Sequence, residues 1–474
     1  MRQTRTTSAT ARCLGGGSRA WIAVKHDAVK SRLARAPLVT PVRRWAYVLA
    51  AVGIAMLSTA SGARGAPGDT ARIDGVCPRD VAPGDEYTIS RNGRFVVAEC
   101  DYQVYERDRL RRRTVLVSRA TGPHARRGDG GASFRPSVSD DGQIVAFASD
   151  AVNLAPGMRH GYRHVLVRDL RRNTTKLIGG ARKPKGRGHA DDPALSADGR
   201  FLAYDSSDFS DDYQVYVRDL RTNKTTLVSR ATGKRGAEAD DGFSADNLGS
   251  DDPSISADGR RVAFESDATN LAPRDRNQAT DVFVRDLRAH TTTLVSRASD
   301  TGGTAGNGNS ILPAISSDGR SVAFDSTAGN LDNGIPPLDR TNGDGVVYVR
   351  NLSALTTQLV SRATGPEGAA ATSYTQLGSI SGDGHLVAFE TDVPAPSADR
   401  PDKRQSDVWV RDLTTQTTTL VSRAAGVDGP QGNDSSYEGR LTADGRLVMF
   451  RSFATNLTPD SRVGMFAREL GSTP

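Results

Sequence analysis

Short runs in which apolar and polar residues alternate recur along the chain, each pair split by a turn. The clearest is 253–267, PSISADGRRVAFESD, where Ser254-Ile255-Ser256 and residues 261–265 flank Asp258-Gly259. Glycine takes the positive φ that such a turn demands, and aspartate can hydrogen-bond the turn's own backbone, so the stretch predicts a β-hairpin. The turn glycine recurs at Gly93, Gly142, Gly199, Gly259, Gly319, Gly384 and Gly445, at spacings of 49, 57, 60, 60, 65 and 61 residues. Repeats of this length belong to propellers or solenoids.

Each unit offers a third alternating run, at 104–108, 165–169, 215–219, 282–286, 347–351, 408–412 and 465–469. The first six units add a fourth, at 114–118, 174–178, 225–229, 292–296, 357–361 and 418–422. Val, Ile, Thr, Phe and Tyr dominate, as in strands, and no helical period intervenes. The seventh unit lacks a fourth run, while residues 70–76 upstream of unit one form an orphan strand. Pairing the two closes a ring and removes the exposed sheet edge. The prediction is an all-β, seven-bladed β-propeller of four-stranded antiparallel blades, closed by an N-terminal strand.

The Asp-Gly hairpin, the V-A-F strand after it and the V-x-V-R-D-L strand beyond resemble the repeats of the TolB-like β-propellers (PD40 or WD40-like repeats). The resemblance covers about residues 70–470. The family's Pro before Asp-Gly is replaced here by Ala197, Ala257, Ser317 or Gly382. Asn270-Leu271-Ala272-Pro273 and Val228-Ser229-Arg230-Ala231-Thr232-Gly233 match a closer variant found in extracytoplasmic bacterial proteins. What the resemblance implies is the fold, because the same fold carries binding proteins and enzymes.

Charge first suggests a nucleic-acid partner, since the formal net charge is +7. Residues 1–66, however, hold eleven Lys and Arg and one acid, Asp27. That leaves 51 of the 62 basic and 54 of the 55 acidic residues for the remainder, which excludes a basic footprint for nucleic acid. Arg43-Arg44, the apolar run 45–57 and the small residues 58–66 read as an export signal. The run is shorter than the ~20 residues of a membrane span, and no later segment is long enough. Residues 1–66 are therefore assigned as export signal and disordered leader, 67–474 as one propeller, and the location as extracytoplasmic (secreted or periplasmic). Cys77 and Cys100 remain after the leader. An even pair in an exported protein is a disulfide candidate, with two buried free thiols as the alternative.

Residues that repeat in every blade belong first to the blade. Arg285 and its six counterparts are assigned to structure, with Asp258 or its counterpart on the next blade as the expected partner of Arg285, and Ser256 and Asp258 are turn-formers. Chemistry is sought in what does not repeat, on the face carrying the long links from strand two to three and from blade to blade. There Asp191-Asp192 and Asp251-Asp252 lead into the innermost strands at the channel rim, with Asp240-Asp241 nearby, and form the candidate binding site. Asp275, Asn277 and Asp281 offer the oxygen ligands that Ca²⁺ takes, and Asp339, Asn342 and Asp344 are similar; the alternative is solvated loop acids. No other cofactor is implied. The six histidines after the leader form no zinc motif or nucleophile elbow.

The expected function is an exported, non-catalytic propeller, monomeric, that binds a protein, peptidoglycan or glycan of the cell envelope through its loop-rich face. The alternative is a polysaccharide lyase or glycoside hydrolase using Asp192 and Asp252 as acid and base. That chemistry needs two carboxyls at a fixed separation with divergent pKa values. It also calls for aromatic sugar platforms, and only Trp409 follows the leader among the tryptophans.

Overall fold

A computed structural model describes residues 66–471, apart from 79–83, 85, 181–187, 208–212, 241–248, 274, 276, 300–301, 333–344, 372–374 and 393–404. The expected export signal, Asp241 and the Asp339, Asn342 and Asp344 group lie outside the described residues.

Seven four-stranded antiparallel sheets form the propeller. Blade four shows the plan, with Ser250–Ile255 innermost, then Arg261–Ser266, Asp281–Asp286 and Thr291–Leu294 outermost. Both faces of a blade are covered by neighbours, so both sides of its strands carry buried residues. Val262 and Phe264 pack with Ala203 of blade three, whereas Ala263 packs with Val322 and Phe324 of blade five. Phe264 also stacks on Phe283, with centroids 5.8 Å apart.

The hairpin turn is built as its residues predict. Ser256 Oγ donates to Asp258 Oδ1 at 2.7 Å, and the Arg260 N–H donates to the same oxygen at 2.9 Å. Gly259 has φ +70°, and a Cβ there would lie 2.2 Å from the Phe201 ring of blade three. Glycine is thus required by the turn and again by the blade contact.

The repeated arginine is structural, but its expected partner is corrected. Arg285, 2 % exposed, donates to Thr292 Oγ1, Ala231 O and Gly233 O, each at 2.9 Å. The last two belong to the V-S-R-A-T-G segment that follows the outer strand of blade three. That segment runs back along blade four, where the Gly233 N–H donates to His290 O, before returning through the Arg230–Glu238 bridge. It is a strap between blades, so the start of this link does not belong to the loop-rich face. Asp258 instead serves its own turn, while Asp286 pairs with Arg260 at 2.8 Å.

Thr70–Arg72 forms the outer strand of blade seven, pairing Thr70 with Arg468 and Ala71 with Ala467. It is shorter than the expected 70–76. Cys77, just beyond it, is disulfide-bonded to Cys100 at the end of the second strand of blade one, with Cα atoms 5.6 Å apart. The bond fastens the closing segment to the first blade. No helix long and apolar enough to cross a membrane occurs among the described residues.

Candidate functional site

The innermost strands enter from the loop-rich face, and six of them shift register: blade six at Leu377/Ser379, and five others near their start, at Phe134/Ser137, Asp191/Ala194, Asp251/Ser254, Ile311/Ala314 and Tyr437/Arg440. In each of these five, two residues oppose one on the second strand, a β-bulge that re-aims a side chain. The first bulged residue has positive φ: Arg135 (+48°), Asp192 (+45°), Asp252 (+45°), Leu312 (+53°) and Glu438 (+59°). Four of the five precede proline, which needs no ladder hydrogen bond. Asp191, Asp192, Asp251 and Asp252 therefore lie within the innermost strands themselves, not in loops leading to them.

These strands gather charge at the channel mouth. Arg135 Nη1 donates to both carboxylate oxygens of Asp192 at 2.6 Å and to Asp191 Oδ2 at 2.9 Å. Arg163 holds the same Asp191 oxygen from the link between strands two and three of blade two. Burial, then the neighbouring carboxylates of Asp252, Asp191 and Asp205, push the Asp192 pKa well up despite Arg135. For Arg135, burial works to lower the pKa, but Asp192, Asp191 and Asp252 outweigh it and raise it.

A second set of acids comes from the second strands. Glu99, Asp205, Glu265, Asp325 and Glu390 occupy one position in five blades. Three of them reach the next blade's bulge and accept its freed N–H: Glu265 from Leu312 (2.6 Å), Asp325 from Leu377 (2.9 Å) and Glu390 from Glu438 (2.7 Å). Burial raises the Asp325 pKa well above the usual carboxylate range. The acid in V-A-F-E-S and its counterparts is the sequence signal for this set, as are Arg135 and Arg163 for the countercharge.

The group weighed as a Ca²⁺ site against solvated loop acids comes together as a polar network around Asn277 and Asp281. The Asn277 amide donates to Asp281 Oδ2 at 2.7 Å and to Gly306 O at 2.6 Å, and its Oδ1 accepts the Ala279 N–H. Ser296 Oγ donates to Asp281 Oδ1 at 2.5 Å. Burial, then the Asp275 carboxylate, push the Asp281 pKa up to about 8. Asn277 thus turns its amide nitrogen, not an oxygen ligand, toward Asp281. The only group of three acids close enough to share a cation among the described residues is elsewhere: Asp251, Asp252 and Glu265, each offering one oxygen within 4.8 Å of the others. His164 begins the third strand of blade two, and its Nε2 accepts the Arg159 N–H.

Aromatic residues flank the mouth on blades seven and one. Tyr437 meets Phe453 edge-on at 6.2 Å, and Arg451 lies 5.1 Å over the Phe453 ring. In blade one the link from strand two to three is only Asp101-Tyr102, which leaves a groove of about 410 Å³ lined by Tyr102, Gln103, Arg127, Gly130 and Gly131. Tyr102 is 66 % exposed.

No family model matches the sequence, and no curated protein matches it. Solved propellers do. The chain is similar to oligogalacturonate lyase from Vibrio parahaemolyticus at 12% identity and a TM-score of 0.48, covering 86% of this chain and 99% of that one. It is similar to a putative TolB from Agrobacterium tumefaciens (15%, 0.36, covering 58% and 79%) and to TolB from Acinetobacter baumannii (13%, 0.34, covering 81% and 78%). At such identities and TM-scores the likeness assigns no role, and the seven-bladed β-propeller rests on the chain's own seven four-stranded sheets.

Proposed function

We propose that the protein is an exported, non-catalytic binding propeller that takes a cell-envelope partner, foremost a protein presenting basic residues, at the channel mouth on its loop-rich face. The observation that carries this reading is the assembly of Asp191, Asp192, Asp251 and Asp252 at one mouth by two bulged strands. Carboxylates gathered on low-dielectric walls focus a negative field, which attracts cationic groups and steers their approach. An acid and base for glycosidic cleavage must be deliverable to opposite sides of a bond. Asp192 is instead clamped through both oxygens by Arg135.

A second reading, binding of a glycan without cleavage, is favoured by exposed Tyr102 beside its groove. Incubation of the purified protein with cell-envelope polysaccharides separates binding from catalysis. Retention without a change in chain length is expected, and reproducible cleavage would overturn the non-catalytic reading.

A further inference from the structure

One slot recurs where the third strand of a blade begins and the link to the next blade passes beside it. In blade four the strand opens on Asp281, which accepts the Ser296 hydroxyl, and the Gly306 N–H donates to Ser296 O at 2.9 Å. The Asn277 carboxamide, carried in by the long link between strands two and three, fills the space between them. Its nitrogen donates to Asp281 Oδ2 at 2.7 Å and to Gly306 O at 2.6 Å. Blade three closes the slot from its own strand, where Gln214 Nε2 donates to Ala239 O at 3.2 Å.

Blade one has the same frame without the filling. Gln103 opens the third strand, the Ser118 hydroxyl donates to its Oε1 at 2.8 Å, and the Gly128 N–H donates to Ser118 O at 3.0 Å. The link that would carry a counterpart of Asn277 is cut to Asp101-Tyr102, so the slot opens into the groove beside Tyr102. Gln103 is 7 % exposed, yet its Nε2 has no acceptor among the described residues, and Gly128 O receives no donor among them. A buried amide left unmatched beside an open groove points to a ligand that matches it. Tyr102 supports this. Asp101 and Tyr102 have φ of +51° and +61°, a two-residue turn that ordinarily takes glycine second. A strained aromatic side chain exposed at a groove serves something other than the turn.

We infer that this groove binds an acetamido sugar, the N-acetylhexosamine unit of an envelope glycan. The slot presents one donor, the Gln103 NH₂, and one acceptor, Gly128 O. An acetamido group is the complement, its C=O accepting from the first and its N–H donating to the second, as the Asn277 amide does to Gly306 O in blade four. The Tyr102 ring then offers an apolar surface to the pyranose. At about 410 Å³ the groove falls within the ~300–1,000 Å³ of small-ligand sites, which suits a short stretch of glycan. An extended peptide would ask for a row of donor and acceptor pairs along a sheet edge, and the slot offers one. The inference rests on the glycan reading above and is independent of the acidic channel mouth.

The test is calorimetric titration with chitotetraose, a tetramer of N-acetylglucosamine. Cellotetraose, which has hydroxyls in place of the acetamido groups, and an acetylated tetra-alanine amide are the comparisons. Wild type should bind chitotetraose at least about 10-fold more tightly than either, because neither matches the buried amide and covers Tyr102 together. Gln103→Glu sets a carboxylate against the ligand carbonyl and should weaken binding by at least about 10-fold. Tyr102→Gly should weaken it by about fivefold, while its unfolding midpoint does not fall, since glycine relaxes the turn. Equal binding of chitotetraose and either comparison, or full binding by folded Gln103→Glu and Tyr102→Gly, would overturn the inference and leave the glycan reading standing. Failure of the wild-type protein to bind these sugars or any envelope polysaccharide would overturn both.

Discussion

The arginine buried in the third strand of five blades predicts how strongly neighbouring blades are strapped together. In Arg285→Met the side chain keeps its bulk but loses donors to Ala231 O and Gly233 O of blade three. Hydrogen bonds to a charged group contribute roughly 1.5 kcal/mol or more each, so two of them amount to about 3 kcal/mol. Removing the guanidinium also relieves the desolvation that lowers its pKa, which brings the expected loss to about 2 kcal/mol. Arg218 provides the internal control. Among the described residues its bonds reach only Thr225 and Asn223 of its own blade, and blade two ends in the sequence IGGARKPKG instead of V-S-R-A-T-G. Arg218→Met should therefore cost under about 1 kcal/mol. The assay is the midpoint of urea unfolding, joined by hydrogen exchange at residues 231–239, which should lose protection only in Arg285→Met. Equal destabilisation by the two variants, or unchanged exchange in the strap, would refute the reasoning.

Other outcomes follow from the same structure. Reduction of Cys77–Cys100, or Cys100→Ser, opens a cross-link spanning a sequence separation of 23; chain entropy puts the cost at about 3 kcal/mol, and an unchanged unfolding midpoint under reductant would contradict it. A chain starting at Gly75 lacks the outer strand of blade seven and exposes the edge of Gly464–Glu469; light scattering should show self-association, and a stable monomer would count against strand closure. Glu106 is 5 % exposed, and burial, then Asp108, push its pKa up to about 8. Because the folded-state pKa is raised, its contribution to stability is full below about pH 4.5 and is lost as pH rises toward 8. Glu106→Gln should thus gain on wild type by a few kcal/mol at pH 9 and hardly at all at pH 4; parallel curves would exclude this role.

Much of the ring is legible in the sequence because a hairpin turn is a local object. Asp258-Gly259 and its copies state the turn, the alternating runs state the strands, and the missing fourth run of unit seven points to residues 70–76. The channel mouth is not local. A residue before proline is normally extended, so nothing near Asp252 announces φ +45° or the bulge that turns its side chain. Glu265 alternates with buried Phe264 and reads as solvent-facing, yet both sides of a propeller blade are covered, and near the axis such a residue meets the next blade. The strap is hidden for a similar reason: V-S-R-A-T-G looks like the start of a loop, and only its contact with Arg285 shows where it runs.

The central claim is that the acidic channel mouth recognises a partner while the tight-turn face does not. Its most direct test is crosslinking of purified protein to native cell envelopes, with capture quantified for wild type, for Asp192→Lys with Asp252→Lys, and for Lys224→Glu on the tight-turn face. The account predicts one reproducible partner for wild type, undiminished capture by Lys224→Glu, and at least a tenfold loss for the folded double variant, since unpaired or like charges across an interface cost several kcal/mol. Equal capture of the same partner by the double variant would contradict it.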